Sequence, residues 1–428
     1  MPASGPRCIV VGAGIVGACC AWHLQRKGAR VTLIDPLPPG QSTSYGNAGC
    51  ISRTSIFPFS HPGIARKLPG WLLRRAGPVS IRWSQLAAVA PWLYRFWRAG
   101  SPQRVQEIIA AQFALMATVT EDYDRMLRAT RSEFLRESRG LTLIYDSQRD
   151  FAADAWKYEL RDRLGIRWQK MSLEEATARE PQLRLRQGVV VFEPDWQHVI
   201  DPAGLVQRFV DDAIGLGAQW LQDRVVALSA EPDAVSVTTE SGFEAQADWL
   251  VVAAGAWSNR LIGPLGHRVP LIPKRGYHAM QHAPGVRLKH PIMSASRHLL
   301  LTPMNDGLRI AGMAEFAALD SPPDYRHAKR LVKNARHYVP ALKDGATTEW
   351  MGQRPMMSDS LPVLGALPES PRVLCAFGHG HYGLTQGPTT GRILASLVRG
   401  EDPGLDLTPF SISRFARRRA AALRKSRR

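Results

Sequence analysis

A short apolar run that stops on three spaced glycines constrains this chain more than any other stretch. Cys8-Ile9-Val10-Val11 leads directly into Gly12-Ala13-Gly14-Ile15-Val16-Gly17. Ile9 to Val11 reads as a fully buried strand, and Gly12, Gly14 and Gly17 fit a G-x-G-x-x-G turn into a helix. The first glycine allows the tight turn, the second lets backbone approach a pyrophosphate, and the third lets helix and strand pack closely. Ala18 to Lys27 reads as that helix, closing at Gly28, and Ala29 to Ile34 as a second strand that ends on Asp35. An acid at this distance accepts hydrogen bonds from the ribose hydroxyls of a dinucleotide, with Ile15 and Val16 inside the same turn. A glycine-rich structural turn is the alternative.

Length and charge narrow the class. A chain of 428 residues exceeds the size at which single cores stop growing, so two domains are expected. An apolar content of 45% with 36 Gly and 31 Pro suits a globular α/β protein and excludes a disordered or fibrous one. The cysteines at 8, 19, 20, 50 and 375 are odd in number and form no metal-ligand spacing, which predicts reduced thiols, a cytoplasmic protein and no metal site. A cleaved leader is not expected, because the first strand runs straight into the glycine turn. No uninterrupted apolar stretch reaches membrane-spanning length. The net charge of +18 implies attraction to anionic lipid, nucleic acid or acidic substrates, or mere solubility.

Beyond the second strand, Gln41 to Ile51 is small and polar and lies where a cofactor's phosphates or ring would be. Its Ser42, Thr43, Ser44, Asn47, Ala48 and Gly49 suit hydrogen bonding to a flexible dinucleotide, against the alternative of a Ser/Gly surface loop. From Pro58 to Gly100, Trp71, Trp83, Trp92, Tyr94, Phe96 and Trp97 interleave with seven Arg and Lys residues. Such a stretch suits peripheral contact with a membrane face, or two short helices packed over a second domain, or both. Val105 to Arg128 predicts one long amphipathic helix. Gly165 to Trp168 reads as a short strand, Ser172 and Glu175 as a capping box, and Asp201-Pro202 as a helix start.

A second apolar strand, Trp249 to Val252, stops on Ala254-Gly255, which brings another turn to the same sheet edge. Asn305-Asp306-Gly307 predicts a hairpin turn. Near the end, Val373 to Phe377 runs into Gly378-His379-Gly380-His381-Tyr382-Gly383-Leu384-Thr385, followed by a helix. That turn presents helix N–H groups and a positive dipole end to an electron-rich group. Arg414 to Arg428 is a basic tail.

The order of these pieces resembles the FAD-dependent D-amino-acid oxidoreductase superfamily, and within it the bacterial D-amino-acid dehydrogenases. Its carriers are GAGIVG with Asp35, STSYGNAG (42–49), VVAAGAWS (251–258), KRGYH (274–278), LRIAGMAEF (308–316), RPMMSDSLPVLG (354–365) and GHGHYGLTQGP (378–388). The resemblance implies an α/β protein with a discontinuous Rossmann-like FAD-binding domain (1–58, 198–264 and 350–412). An α+β substrate domain with a mixed, antiparallel-rich sheet would occupy 59–197 and 265–349, leaving 413–428 as tail. It implies noncovalent FAD, since no flavin-linking cysteine stands near Met356 and Met357. Val226, Ala254, Gly255, Gly380, His381, Tyr382, Gly383, Leu384 and Thr385 would join the glycine turn in holding it. Asp35 departs from the usual Glu of the family, which predicts a looser ribose contact.

The implied reaction is oxidation of a D-amino acid or cyclic D-imino acid, by hydride transfer from Cα to flavin N5. Electrons would pass to a membrane quinone or other carrier, or to oxygen in an oxidase. The resemblance makes Arg354 the carboxylate clamp, with a structural ion-pair arginine as the alternative and Arg275 as a weaker candidate. Tyr277, His278 and Tyr382 are the other candidates for the substrate pocket. A flavin enzyme that trims a modified tRNA base is a third reading, disfavoured because no nucleic-acid-binding module accompanies the flavin segments.

Overall fold

The computed structural model describes residues 5–63, 79–81 and 85–418. Its first layer is a six-stranded sheet in the order Gln219–Gln222, Arg30–Asp35, Arg7–Val11, Trp249–Val252, Ser370–Phe377 and Val363–Leu367. The first five strands are parallel and the last returns antiparallel as a hairpin. Alternation along Arg7–Val11 sends Cys8 and Val10 into one core and Ile9 and Val11 into another. This is why the run reads as continuously apolar: both faces are covered. Helices Ile15–Arg26, Pro202–Gly215 and Gly383–Arg399 pack on the first face. A three-stranded antiparallel sheet (Val225–Ala230, Val235–Thr239, Glu244–Ala247) covers the second.

The second layer is a nine-stranded mixed sheet. Its main path runs Thr347–Met357, Leu271–Gln281, Gly307–Phe316, Leu299–Met304, Ile292–Ser294, Leu141–Tyr145, Val189–Glu193 and Gln169–Met171, with Val79–Ile81 paired to Gly307–Phe316. Most of these pairings are antiparallel, and Asn305-Asp306 makes the expected turn between Leu299–Met304 and Gly307–Phe316. The strand Thr347–Met357 lies wholly in this sheet, so the division expected at residue 350 falls inside a strand. A small sheet of Cys50–Ile51, Gln197–Val199 and Arg136–Glu137 joins the two layers.

Other local expectations shift. The long helix predicted over 105–128 is two helices, Pro102–Met116 and Val119–Ala129, interrupted at Ala117 and Thr118. Its apolar spacing survives the break because both halves bury the same side against the helices of the first layer. Gly165 to Trp168 is not a strand; pairing begins at Gln169. Ser172 and Glu175 form the capping box, and Asp201 accepts from the Gly204 amide. All five cysteines are free thiols. Among the described residues no helix is long and apolar enough to cross a membrane. Trp71, Trp83 and most of the basic residues near them, like 419–428 of the tail, lie outside the described residues.

Candidate active site

The glycine turn performs its three roles by contact. Gly12 has φ +111°, and a Cβ there would stand 2.5 Å from the Ala253 carbonyl oxygen. A Cβ on Gly17 would meet the Gly12 carbonyl oxygen at 1.7 Å, so helix and turn touch backbone to backbone. A Cβ on Gly14 would meet only the Ser44 hydroxyl, at 3.3 Å. That hydroxyl also accepts from the Ile15 amide at 2.9 Å. The Val16 and Gly17 amides have no acceptor among the described residues, and the helix carries no acid in its first turn. The result is a positive helix end open to an anion.

Asp35 ends its strand with one carboxylate oxygen accepting from Ala13 N (2.7 Å) and the other from Leu37 N (2.9 Å). The shorter acid is thus anchored to the glycine turn itself, and a ribose hydroxyl must use its remaining lone pairs. Burial pushes its carboxyl up from the ordinary value, against those two hydrogen bonds. Val226 is the skipped residue of a bulge: Val225 pairs Thr239 and Ala227 pairs Thr238. Its backbone groups are therefore outside the ladder. Ala254 and the left-handed Gly255 (φ +53°) follow Ala253 beside Gly12.

A second helix end converges here. Gly383–Arg399 lies along Ile15–Arg26, with Gly387 against Ile15 and Cys19 and Gly391 against the Cys19 carbonyl and His23. Glycines four residues apart let the two backbones approach closely and bring Gly383 beside Ile15 and Val16. The Gly383, Leu384 and Thr385 amides begin this helix without an internal acceptor. The Leu384 carbonyl is taken by the Tyr123 hydroxyl, and the Thr385 hydroxyl accepts from the Ser52 amide, which leaves the amides of these two residues as their groups at the helix start. Gly378 (φ +87°) and Gly380 (φ +57°) shape the turn ahead of it. His379 bonds Thr390 at 3.0 Å, and burial holds its imidazole down to about 3. Two helix ends whose first amides have no acceptor among the described residues, a close-approach glycine and a bulge outside the ladder fit the phosphates, ring and adenine of a flavin dinucleotide.

The large sheet roofs this end. The Gly380 amide bonds the Pro355 carbonyl at 3.0 Å, and Met356 bridges His379. Arg354, the next residue back, folds its guanidinium over Gly276, where a Cβ would stand 2.0 Å from Arg354 Cζ. It donates to the Met313 carbonyl at 3.2 Å. Met313 holds φ +55° where the register slips: Arg275 faces Glu315 but Tyr277 faces Gly312, so the strand Gly307–Phe316 carries an extra residue. The bulge turns that carbonyl towards the arginine. Arg354 keeps part of its surface open yet is walled in by protein, and burial lowers it to about 10.

Directly opposite Arg354 in register is Lys274, buried, its Nζ 4.5 Å from the centre of the Phe59 ring. Phe59 meets His381 edge-on at 4.6 Å and stacks on Tyr382 at 5.9 Å. His381 has a buried Nε2 without partner among the described residues; burial first, then the charges of Lys274 and Arg354, drives its imidazole far below the ordinary value. The Tyr382 hydroxyl donates to the Phe57 carbonyl at 3.4 Å, and burial raises its phenol.

Arg354, His381 and Tyr382 are thus gathered, whereas Tyr277 is not. It sits on the opposite face of its strand, its hydroxyl donating to Glu315 at 2.6 Å and accepting from the Asp324 amide at 3.0 Å. Arg275 shares that face and is held by Glu315 and four carbonyls. His278 is on the site's face but is stacked on Trp350 and bonded to the Gly46 carbonyl, and burial lowers it to about 3. It is tied to the loop Ser42–Gly49 through the Gly46 carbonyl, and the Arg354 charge also acts on it. Arg309 takes the Tyr45 and Asn47 carbonyls, Thr302 the Ala48 carbonyl, and Thr43 donates to the Gln353 carbonyl. The Asn47 side chain accepts from Gly49 N. Of the loop, Ser44 alone reaches the helix end in this structure. Lys274, Phe59 and the Met313 bulge had no assigned role in the sequence. Two-residue alternation held a signal: adjacent cations Lys274 and Arg275 must face opposite ways.

Comparison with known proteins agrees with this arrangement. The FAD dependent oxidoreductase family, DAO, matches residues 7–397. A D-amino-acid oxidase of Bradyrhizobium diazoefficiens is 35% identical over 96% of this chain and 99% of its own length. A D-amino acid dehydrogenase of Paramagnetospirillum magneticum is 32% identical over 95% and 98%. Among solved structures, glycine oxidase from Geobacillus kaustophilus superposes with TM-score 0.74 at 21% identity, over 96% of this chain and 99% of that one. The chain therefore belongs to the DAO family of FAD-dependent oxidoreductases, and FAD is its cofactor.

Proposed function

We propose that this enzyme oxidises D-amino acids, removing hydride from Cα with noncovalent FAD as acceptor and passing electrons to a membrane quinone or similar carrier. The observation that carries the reading is Arg354: a walled-in guanidinium without a carboxylate partner among the described residues, on the strand whose next residue bonds the turn before the second helix end. Bound FAD supplies the two-electron acceptor. The chain's own groups bind and aim. Arg354 offers a fork that matches a carboxylate bidentately, with its other side fixed by the Met313 carbonyl. The amides of Gly383, Leu384 and Thr385 meet negative charge as it grows, a preorganised term of the kind that dominates such catalysis. Phe59, Met356 and Tyr382 exclude water, and His381, held neutral, adds no positive charge that would oppose loss of the amine's lone pair.

The D-stereochemistry is supported by the names of the two relatives above. A quinone carrier is supported by helix Leu86–Ala99, which buries Val89, Trp92 and Phe96 while Tyr94, Arg95, Trp97 and Arg98 face outward. An aromatic, basic outer face suits a headgroup layer and peripheral contact at the inner side of the membrane. Oxygen as acceptor is the second reading, supported by the relative named an oxidase. A panel of D- and L-amino acids, glycine, sarcosine and proline isomers is assayed with dye and for peroxide. Dye reduction by D-isomers with little peroxide is expected; reduction by L-isomers alone sinks the stereochemistry, and stoichiometric peroxide sinks the carrier.

A further inference from the structure

We infer that the pocket selects amino acids with an acidic side chain, Arg354 holding the α-carboxylate and Lys274 the side-chain carboxylate. This rests on the amino-acid oxidation proposed above and names its substrate class.

The two cations face each other from adjacent strands, Lys274 opposite Arg354 in register, and both border the space around Phe59 and His381. Neither has a carboxylate partner among the described residues. The residues outside the description, 1–4, 64–78, 82–84 and 419–428, include no Asp or Glu side chain. A buried ammonium next to a partly buried guanidinium is costly by itself, through desolvation and like-charge repulsion. An anionic ligand relieves both.

Geometry separates the two charges instead of pooling them on one carboxylate. Arg354 bends along its neighbour strand to lie over Gly276 and bonds Met313 beyond it. Lys274 stands two residues back from Gly276 on that strand and places its Nζ over Phe59. Two residues of strand are about 7 Å. A four- or five-carbon dicarboxylic amino acid, with one hydrogen bond at each end, covers that span. The fold also displays its way of satisfying a purely structural cation: Arg275, one residue on, is wrapped by Glu315 and carbonyls of 318, 319, 321 and 322. Lys274 receives none of this. Burial, then Arg354, lowers its amine to about 7, and a bound carboxylate would draw it back to the charged form.

The test uses flavin-loaded enzyme with dye as acceptor and compares D-Asp and D-Glu with their neutral isosteres D-Asn and D-Gln, and with D-Ala. The expected result is at least a tenfold higher kcat/KM for the acids. Lys274→Met should raise KM for the acids ten- to a hundredfold and alter the amides less than threefold, while Lys274→Arg keeps the acidic preference. Equal losses for acids and amides in Lys274→Met would make Lys274 part of the α-carboxylate clamp and overturn the inference. If D-Ala or the amides turn over well and the acids do not, this inference falls and the oxidation reading stands; if no amino acid reduces the flavin, the oxidation reading itself falls. Should Lys274→Met fail to fold, inhibition of the native enzyme decides: succinate should bind at least tenfold tighter than butyrate, and equal inhibition overturns the inference.

Discussion

Lys274 and Arg275 are neighbours in the chain, both cations and both buried, yet the two faces of their strand treat them oppositely. On one face Arg275 meets Glu315 at 3.5 Å and donates to carbonyls on a loop that wraps it, with Tyr277 closing the same network. On the other, Lys274 has a phenyl ring and an arginine for company. The first arrangement is complete without a ligand; the second is not. The difference teaches that burial of charge alone says little about function, whereas burial without a counter-ion marks where the protein expects one from outside.

The comparison breaks most sharply through its structural half. Arg275→Met takes one partner from Glu315, which keeps the Tyr277 hydroxyl, and the shared donor from several carbonyls, and it should cost about 3–5 kcal/mol of stability, seen as a melting temperature lower by roughly 3–6 °C. A melt within two degrees of the parent, measured by calorimetry of the holoenzyme, would erase the contrast. Arg354→Met should behave in the opposite way. Its kcat/KM should fall roughly a hundredfold to a thousandfold, about 3–4 kcal/mol, with flavin content and melting temperature kept. An unchanged steady-state profile removes the clamp.

Lys274→Met should leave the fold as stable or raise it by about 1–2 kcal/mol, because it deletes an unpaired buried charge. Denaturant titration decides, and a loss above 1 kcal/mol would mean a hidden partner. The smallest effect is its pH dependence. The folded amine sits at about 7 against an ordinary 10.5, so between these values the unfolded chain binds more protons and the parent gains stability as pH rises. The penalty of the buried charge is complete below about 7 and fades towards 10.5. The stability gap between Lys274→Met and parent should therefore be widest at pH 6 and narrow by pH 9.5; a gap independent of pH would show that Lys274 does not titrate in the fold.

Much of the cofactor end was legible because its constraints are local. Gly12, Gly14 and Gly17 answer to contacts within one strand–turn–helix unit, and the apolar strands Arg7–Val11 and Trp249–Val252 are buried on both faces. The substrate end was legible only in part. Arg354, Tyr277 and His278 were named together as pocket candidates, and the fold separates Tyr277, bonded to Glu315 on the opposite face of the strand, from His278, bonded to the Gly46 carbonyl. The long helix over 105–128 misled for a related reason: periodicity continues across Ala117 and Thr118 although the backbone does not.

By itself the sequence determined a dinucleotide turn, its strand–helix–strand frame and the family to which their order belongs. These follow from steric limits on φ and from Cβ positions, which a few neighbouring residues set. Tertiary structure alone decided that the helix begun at Gly383 would start beside Ile15, that a bulge at Met313 would turn a carbonyl towards Arg354, and that Lys274 would be buried without a counter-ion among the described residues. Pairing and desolvation of charge depend on groups tens to hundreds of residues away, and no local rule in the chain records which of two adjacent cations will be satisfied.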